Sequence, residues 1–463
     1  MAVDKSILRS IFPRPEQTVF DRIEEKYLSD TLGRKKGRAE ALVFPESTEQ
    51  VSRLLAYAHE NRIPVTPRGA GTNLVGSTVP LDGGIILDLS HMNRILELDR
   101  DTMTVTVEPG ILLQDLQRYV EERGLFYPPD PGDKESSIGG NISTNAGGMR
   151  AVKYGVTRDY VRGLEVVLAD GTVLQAGGKC VKDASGLSLK NLFVGSEGTL
   201  AVITKCILKL IPKPETSVSV LVPYADLEKG ITSVLAILQA GADPTAVEFI
   251  QRKVVALGEQ YSGVQYPCPE AGSFILLTFD GHASQVQESV ERVRRVALEH
   301  GAMDYIVLDD PARAADIWRV RGALVKAVEA VSEQEPVDIV VPISRTADFI
   351  AFIHTLEQES GMQMVSFGHA GDGNVHLCVV RGDRDEETWR RELKQNMEKA
   401  YAKAYALGGV TSGEHGIGIS KRHYFLRETP RANLEVMNRV KDALDPLHIL
   451  NDKKSYILGG TDR

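Results

Sequence analysis

Two histidines flank a short turn-forming stretch, and their spacing could bring their side chains together. His369 and His376 lie on either side of a Gly-Asp-Gly-Asn sequence at 371–374, between apolar residues that favour β-structure. If these four residues form the turn of a hairpin, Ala370 pairs with Val375 and His369 pairs with His376. Directly opposed residues share one face of a sheet. The stretch therefore predicts two adjacent imidazoles, which is an arrangement that suits a divalent metal ion.

A carboxylate placed between glycines further along the chain could supply a third ligand. Glu414 stands next to His415 within the segment Ser412–Gly418. Two histidines and one carboxylate leave coordination positions open for water or substrate, which is typical of a catalytic metal site. The alternative interpretation is a glycine-rich hairpin whose histidines only form hydrogen bonds.

Two earlier glycine-rich stretches could hold an anionic or flat ligand. In Ile63–Gly76 a strand runs into a loop whose glycines allow backbone N–H groups to point at one place. Its spacing fits neither a nucleoside-triphosphate loop nor the dinucleotide fingerprint of a Rossmann domain. Tyr127–Gly148 consists largely of small and polar residues and shows no strand of its own. Such a long loop indicates a backbone wrapped around a large ligand.

Bulk composition limits the classes of protein that the chain can belong to. A chain of 463 residues is too long to fold around a single hydrophobic core, so two or more domains are expected. The net charge of −9 argues against nucleic acid as a partner. The four cysteines form no C-x-x-C pair, which argues against an iron–sulfur cluster in this chain. No apolar run reaches transmembrane length, and we expect a cytoplasmic protein.

The order of apolar patterns predicts an α+β fold in three stretches. Residues 1–213 form a glycine-rich module, and Pro212–Pro214 marks a boundary. Residues 214–430 predict strands at Val218–Val222 and Ser273–Phe279, hence an antiparallel sheet covered by helices on one face. The helices are predicted at about Leu227–Gln239, Ser284–His300, Pro311–Val331, Ala347–Ser360 and Glu386–Ala406. Residues 431–463 form a helix and a turn that return to the first module.

Six motifs together resemble one family of flavoproteins. The chain is similar to the vanillyl-alcohol-oxidase superfamily, in the branch of glycolate oxidase D subunits, FAD-linked D-lactate dehydrogenases and D-2-hydroxyglutarate dehydrogenases. The resemblance implies a two-part FAD-binding domain of the PCMH type and an α+β substrate (cap) domain whose antiparallel sheet is covered by helices. The motifs are Pro67–Asn73, Ile138–Gly148, Gly195–Thr199, Gly368–His376, Ser412–Gly418 and Asp445–Asn451.

The resemblance implies which residues hold FAD. The 67–77 loop would cradle the pyrophosphate, the 131–148 loop would line the cofactor, and Glu197, Gly198 and Ile203 would contact the adenosine part. Because residues 67–77 contain no histidine, the FAD is expected to be bound non-covalently. The implied cofactor residues are Pro67, Arg68, Gly69, Ala70, Gly71, Thr72, Asn73, Gly76, Ser77, Pro131, Gly132, Ser137, Gly139, Gly140, Asn141, Ser143, Thr144, Asn145, Gly147, Gly148, Tyr154, Gly155, Glu197, Gly198, Ile203 and Asn451.

The resemblance also assigns roles around the metal. His369, His376 and Glu414 would bind iron, zinc or manganese, and Asn374 would lie beside the ion and contact the substrate. Arg321 would bind the substrate's carboxylate, although an arginine on a helix can also be merely solvated. Relatives that act on 2-hydroxyglutarate carry threonine and lysine where this chain has Val325 and Pro336. An unpaired distal carboxylate is costly, so D-lactate or glycolate is favoured.

The expected reaction is oxidation of a 2-hydroxy acid to the 2-oxo acid. His415 would take the hydroxyl proton as general base, and hydride would pass to the flavin. Because no second redox centre is visible, electrons would continue to a protein such as an electron-transferring flavoprotein or an iron–sulfur subunit. A homodimer is left open. The alternatives are an oxygen-using oxidase, a D-2-hydroxyglutarate dehydrogenase, a non-catalytic FAD-binding subunit and a flavin reductase using NAD(P)H.

Overall fold

The computed structural model describes residues 3–458, which form two compact units. The first unit combines the chain up to Gly147 with Val156–Lys213 and with the residues from Glu414 onward. The second unit combines Gly148–Gly155 with Pro214–Gly413. The chain passes from the first unit to the second after Lys213 and returns to the first after Gly413. The sequence-based boundaries at residues 213 and 430 stay predictions.

Residues 3–458 contain 18 strands and 16 α-helices. The strands are β1 (Thr18–Val19), β2 (Ala41–Val43), β3 (Val65–Arg68), β4 (Ile85–Asp88), β5 (Ile95–Asp99), β6 (Thr104–Val107), β7 (Leu125–Phe126), β8 (Val161–Val167), β9 (Val173–Gly177), β10 (Val202–Lys209), β11 (Ile211–Pro212), β12 (Thr216–Tyr224), β13 (Ala246–Gln251), β14 (Ser273–Gly281), β15 (Ile306–Leu308), β16 (Gln334–Val340), β17 (Met364–His369) and β18 (Asn374–Val380). The α-helices are α1 (Lys5–Ile11), α2 (Glu25–Leu28), α3 (Thr48–Asn61), α4 (Leu113–Glu121), α5 (Ile138–Thr144), α6 (Ala151–Tyr154), α7 (Thr157–Tyr160), α8 (Lys190–Phe193), α9 (Leu227–Gln239), α10 (Arg252–Ser262), α11 (Ala283–Glu299), α12 (Pro311–Val331), α13 (Thr346–Ser360), α14 (Glu386–Ala406), α15 (Arg422–Glu428) and α16 (Arg431–Leu444).

The first unit is built on two larger sheets and a short two-stranded one. One sheet has the order β1-β2-β4-β3, in which β4 runs parallel to β2 and β3. The other has the order β5-β6-β10-β8-β9 and is antiparallel. Helix α3 begins after Ser47, whose hydroxyl accepts the backbone N–H of Gln50. Its apolar face joins β2, β3 and β4 in one buried core.

The second unit is a seven-stranded antiparallel sheet in the order β15-β12-β14-β13-β17-β18-β16. Phe274 lies in a core with residues of α10 and α12, whereas its neighbour Ile275 faces Gly230 of α9. Because successive side chains of a strand point to opposite faces, helices cover both faces of the sheet. The expected one-sided cover is therefore wrong, since apolar runs such as Phe274–Leu277 require burial on both faces.

The histidine-bearing hairpin forms with a different register from the predicted one. His369 pairs with Asn374, and Phe367 pairs with His376. The predicted direct pair of His369 with His376 is wrong, because the turn comprises 370–373 and Asn374 already belongs to β18. Both histidines nevertheless project from one face, and their ring centroids are 5.0 Å apart.

The long stretch before Gly148 contains a helix that the sequence analysis did not predict. Helix α5 begins after Ser137, whose Oγ accepts the N–H of Gly140, and ends at Asn145 in the left-handed conformation. Glycines at its first positions weaken helix propensity and concealed it. Among residues 3–458, no helix combines the length and apolar character that a membrane crossing needs.

Candidate functional site

A cleft lies in the first unit between the two predicted cofactor loops. Most of its wall consists of small side chains and backbone from the 67–73, 136–144 and 197–203 segments. The implied cofactor residues that line it are Pro67, Arg68, Gly69, Ala70, Gly71, Thr72, Asn73, Ser77, Ser137, Gly139, Gly140, Asn141, Ser143, Thr144, Glu197, Gly198 and Ile203.

Ser137 joins the two loops that form the cleft. Its Oγ accepts hydrogen bonds from the backbone N–H groups of Ala70 and Gly140, each at 3.3 Å. A Cβ atom on Gly69 would lie 2.1 Å from that oxygen, so only glycine permits this approach. The glycine loop is therefore held against the start of α5 by one hydroxyl.

Glu197 anchors the wall of the cleft from behind. Its carboxylate accepts the hydroxyls of Ser77 at 2.5 Å and Ser455 at 3.0 Å, and the backbone N–H groups of Ile417 at 3.0 Å and Gly418 at 2.8 Å. Sequence analysis predicted an adenosine contact for Glu197 and did not foresee this network. Nearby, burial lowers the pKa of Lys454 to about 7, against the opposing charge of Glu197.

The other implied cofactor residues do not line the cleft. Asn451 lies behind the wall, where its Nδ2 donates to the carbonyls of Ser77 and Glu197 at 2.9 and 2.7 Å. Tyr154 belongs to the second unit, and its hydroxyl bonds to Asp280 at 2.8 Å. The remaining ones are Gly76, Pro131, Gly132, Asn145, Gly147, Gly148 and Gly155. Residues that line the cleft but were not predicted are Thr78, Leu89, Pro109, Ser136, Ala201 and Val202.

In the second unit, cross-strand pairing assembles polar side chains on the sheet face under α12. One row runs from Glu248 on β13 to His369 on β17 and Asn374 on β18. In the next row, His376 on β18 pairs directly with Asp338 on β16. Residues in direct register share a face, so two acids, two histidines and an amide are brought together there.

Glu414 completes the predicted ligand set. It follows Gly413, whose N–H donates to both oxygens of Asp338 at 3.2 and 3.1 Å. One ligand atom each from His369, His376 and Glu414 lies within 4.8 Å of the others. The ligand atoms of one divalent ion bound at about 2.0–2.2 Å lie within about 4.4 Å of one another, so the group requires little adjustment.

The chemistry of the surrounding atoms also fits a cation. The Nδ2 of Asn374 donates to Asp338 and to the carbonyl of Ile339, which directs its Oδ1 the other way. Among the described residues, that buried oxygen has no hydrogen-bond partner. A buried acceptor without a donor is costly, and a metal ion or a substrate hydroxyl would satisfy it.

Arg321 is held by a buried acid. Its Nε and Nη2 donate to Oε2 of Glu248 at 2.8 and 2.5 Å, and Nδ1 of His369 lies 2.5 Å from Oε1 of the same residue. Burial acts to raise the pKa of Glu248, but the charges of His369 and Arg321 and their hydrogen bonds outweigh it and lower the pKa to about 2.

Sequence analysis missed both acids beneath the histidines. Glu248 and Asp338 have side chains without solvent exposure. Each is the only charged residue in an apolar run, Ala246–Ile250 and Val337–Val341. An isolated acid within such a run is seldom buried unless it is paired, and this signal could have identified them.

His415 lies in the first unit, one residue after the predicted ligand Glu414. Asn73 donates from Nδ2 to the carbonyl of His415 at 3.2 Å. Shortly after it, Ile417 and Gly418 donate their backbone N–H groups to Glu197. The segment that carries His415 is thus fixed to the loop that lines the cleft.

Comparisons with known proteins agree with this arrangement. The FAD binding domain profile matches residues 39–177, and the profile of the FAD linked oxidases, C-terminal domain, matches residues 213–455. A D-lactate dehydrogenase of Anaerostipes hadrus is 43% identical over 94% of this chain and 94% of that protein. The glycolate oxidase subunit GlcD of Bacillus subtilis is 38% identical over 93% of this chain and 92% of that protein.

Solved structures confirm the fold. The structure of p-cresol methylhydroxylase with substrate bound superposes with a TM-score of 0.80, covering 98% of this chain and 96% of that one, at 17% identity. This likeness confirms the PCMH-type FAD-binding fold and the α+β class. The chain belongs to the FAD-linked oxidases, a family of flavin-dependent oxidoreductases.

Proposed function

We propose that the protein oxidises a small 2-hydroxy acid, D-lactate or glycolate, to the 2-oxo acid with non-covalent FAD and a divalent metal ion. The observation that carries the proposal is the set of ligand atoms from His369, His376 and Glu414 within 4.8 Å, in a chain of the FAD-linked oxidase family. Relatives named D-lactate dehydrogenase and glycolate oxidase subunit GlcD support this substrate class.

Different residues of the chain bind the substrate and remove its proton. When bound, FAD supplies the hydride acceptor, and a divalent ion supplies a Lewis acid for the carboxylate and hydroxyl oxygens. Arg321 binds the substrate carboxylate, and Asn374 lies beside the ion and contacts the substrate. His415 takes the proton of that hydroxyl while the C2 hydrogen leaves with its electron pair, so the products are the 2-oxo acid and the reduced cofactor.

Charge favours a monocarboxylate over 2-hydroxyglutarate. Val325 packs into the apolar core with α10, and Pro336 lies within β16. Neither side chain can pair with a distal carboxylate, and leaving that charge unpaired is costly.

The decisive experiment is anaerobic reduction of the purified FAD-loaded protein. We expect D-lactate or glycolate to bleach the oxidised-flavin absorbance, and L-lactate and D-2-hydroxyglutarate to act much more slowly. A chelator should abolish bleaching, and added metal should restore it. His376→Ala should behave like the chelated protein, whereas the control His282→Ala, at a largely exposed position, should behave like the wild type.

The same preparation tests the competing functions. Rapid reoxidation of the reduced protein by air would favour an oxygen-using oxidase, whereas slow reoxidation supports transfer to a protein such as an electron-transferring flavoprotein or an iron–sulfur subunit. A flavin that no 2-hydroxy acid bleaches, with metal present, would refute the proposal.

A further inference from the structure

One buried carboxylate contacts both a proposed metal ligand and the proposed substrate arginine. Glu248 lies on β13, and its side chain has no solvent exposure. Oε1 lies 2.5 Å from Nδ1 of His369, and Oε2 accepts Nε and Nη2 of Arg321 at 2.8 and 2.5 Å. Because each oxygen serves one partner, the orientation of either side chain depends on the same carboxylate.

The bond to His369 selects which ring nitrogen faces a metal ion. A neutral imidazole has one N–H donor and one acceptor nitrogen. A carboxylate at Nδ1 keeps the proton there, which leaves the lone pair on Nε2 for a metal ion. His369 is itself buried, so water does not readily take over the role of Glu248.

The bond to Arg321 aims the guanidinium. The side chain is 12% exposed, and its Cζ lies 5.2 Å from the centre of the Phe367 ring. Glu248 holds the Nε and Nη2 edge, and among the described residues Nη1 has no hydrogen-bond partner. A planar guanidinium fixed along one edge presents its remaining N–H groups in one direction, ready for an anion.

We propose that Glu248 is a positioning residue that couples metal loading to the orientation of Arg321. The inference rests on the proposed metal site at His369, His376 and Glu414. It predicts that Arg321, although not a ligand, affects metal affinity, because a change at Oε2 of Glu248 moves the oxygen that orients His369. The positive charge of an arginine that only bound substrate would repel the cation, so its removal would leave metal affinity unchanged or raise it, whereas loss of the coupling lowers it.

The test is metal binding by the metal-free, FAD-loaded protein, without substrate. Titration with Zn²⁺ by calorimetry and with Mn²⁺ by electron paramagnetic resonance gives the dissociation constants. We expect Glu248→Gln to weaken binding about 10- to 100-fold, as loss of an outer partner of a ligating histidine does, and Arg321→Gln to weaken it at least threefold. The control is Glu259→Gln, which removes the carboxylate paired with Arg252 in the same unit, and it should leave metal binding unchanged.

The outcomes separate this inference from the proposed function. If the wild type binds metal and both Glu248→Gln and Arg321→Gln match it, the coupling is refuted while the metal site stands. If the wild type binds no better than His369→Ala, the proposed metal chemistry fails and the coupling fails with it. If Glu248→Gln does not fold, the metal affinity of Arg321→Gln alone tests the coupling. A metal affinity of Arg321→Gln that is not lower than that of the wild type refutes it.

Discussion

Replacing Glu197 with glutamine should loosen the FAD-binding cleft, because the carboxylate holds three separated segments of the first unit. Oε1 accepts Ile417 N–H and the Ser455 hydroxyl, and Oε2 accepts Gly418 N–H and the Ser77 hydroxyl. The hydroxyls can rotate and accept from a glutamine amide instead. The two backbone N–H groups cannot, so in either orientation of the introduced amide one of them faces an NH₂ group.

The cost follows from these bonds. A buried donor left without an acceptor costs about 1–3 kcal/mol. The remaining bonds change from charge-assisted to neutral, which removes about 1 kcal/mol from each. We therefore expect a loss of about 4–6 kcal/mol in the free energy of unfolding of the first unit. That is a large share of the about 5–15 kcal/mol that stabilises a typical domain.

A second buried glutamate provides the matched control. Glu165 also accepts four hydrogen bonds, but all of them come from side chains, those of Thr48, Gln175, Thr204 and Lys205. Gln175 can reverse its amide, and Lys205 can move into solvent, so Glu165→Gln leaves no buried donor without an acceptor and should cost about 1–3 kcal/mol less than Glu197→Gln. Urea unfolding measures both costs, and quenching of FAD fluorescence on binding measures cofactor affinity.

The two variants should differ most in cofactor affinity. Glu197→Gln should weaken FAD binding at least tenfold, because Ser77 and Glu197 itself line the cleft, whereas Glu165→Gln should bind FAD like the wild type. Equal FAD affinity in the two variants, or an unfolding curve of Glu197→Gln that matches the wild type, would show that the network does not hold the cleft.

Three further predictions follow from single contacts. Gly69→Ala should lower FAD affinity at least tenfold, because its Cβ would lie 2.1 Å from Oγ of Ser137, whereas Gly178→Ala, with no atom within 4 Å of its Cβ, should bind normally in the same fluorescence titration. Burial acts to raise the pKa of Glu165, but hydrogen bonds from Thr48, Lys205 and Thr204 outweigh burial and lower that pKa. Its stabilisation is therefore present above the ordinary glutamate pKa of about 4.3 and lost as the pH falls through the lower folded value, so urea curves of wild type and Glu165→Gln should converge at low pH. His376→Ala should retain FAD but lose its metal ion, as elemental analysis of the dialysed protein would show; an unchanged metal content would remove His376 from the ligand set.

Some elements could be predicted to the residue from the sequence because local signals marked both their ends. Helices α9, α12 and α14 coincide with the predicted ranges. Each begins directly after an aspartate whose carboxylate accepts a backbone N–H of the first turn, as Asp226, Asp310 and Asp385 do. Such caps depend only on neighbouring residues, so no knowledge of the tertiary structure was needed.

Elements defined by distant partners escaped prediction. Strands β13 and β16 are short and flanked by weak turn signals, and each contains an acid where an apolar residue is expected. Strand β13 takes its place in the sheet by pairing with β17, more than 100 residues away along the chain. Strand β16 takes its place by pairing with β18, more than 30 residues away. The glycine-rich helix α5 is stabilised by packing and by its cap rather than by propensity.

The shared face of His369 and His376 was predicted despite a wrong register, because of the geometry of strands. The metal ligands themselves stay a prediction. Side chains alternate with a period of two, so the partner of His376 lies on the same face whether it is His369, as predicted, or Phe367, as observed. A slip of one residue would have turned one histidine to the opposite face, and no shared site would exist. The shared face of the two histidines could therefore be predicted although the position of the turn could not. Glu248 lies on a third strand, β13, which no short turn joins to β17. Its contact with His369 therefore becomes visible only in the folded sheet.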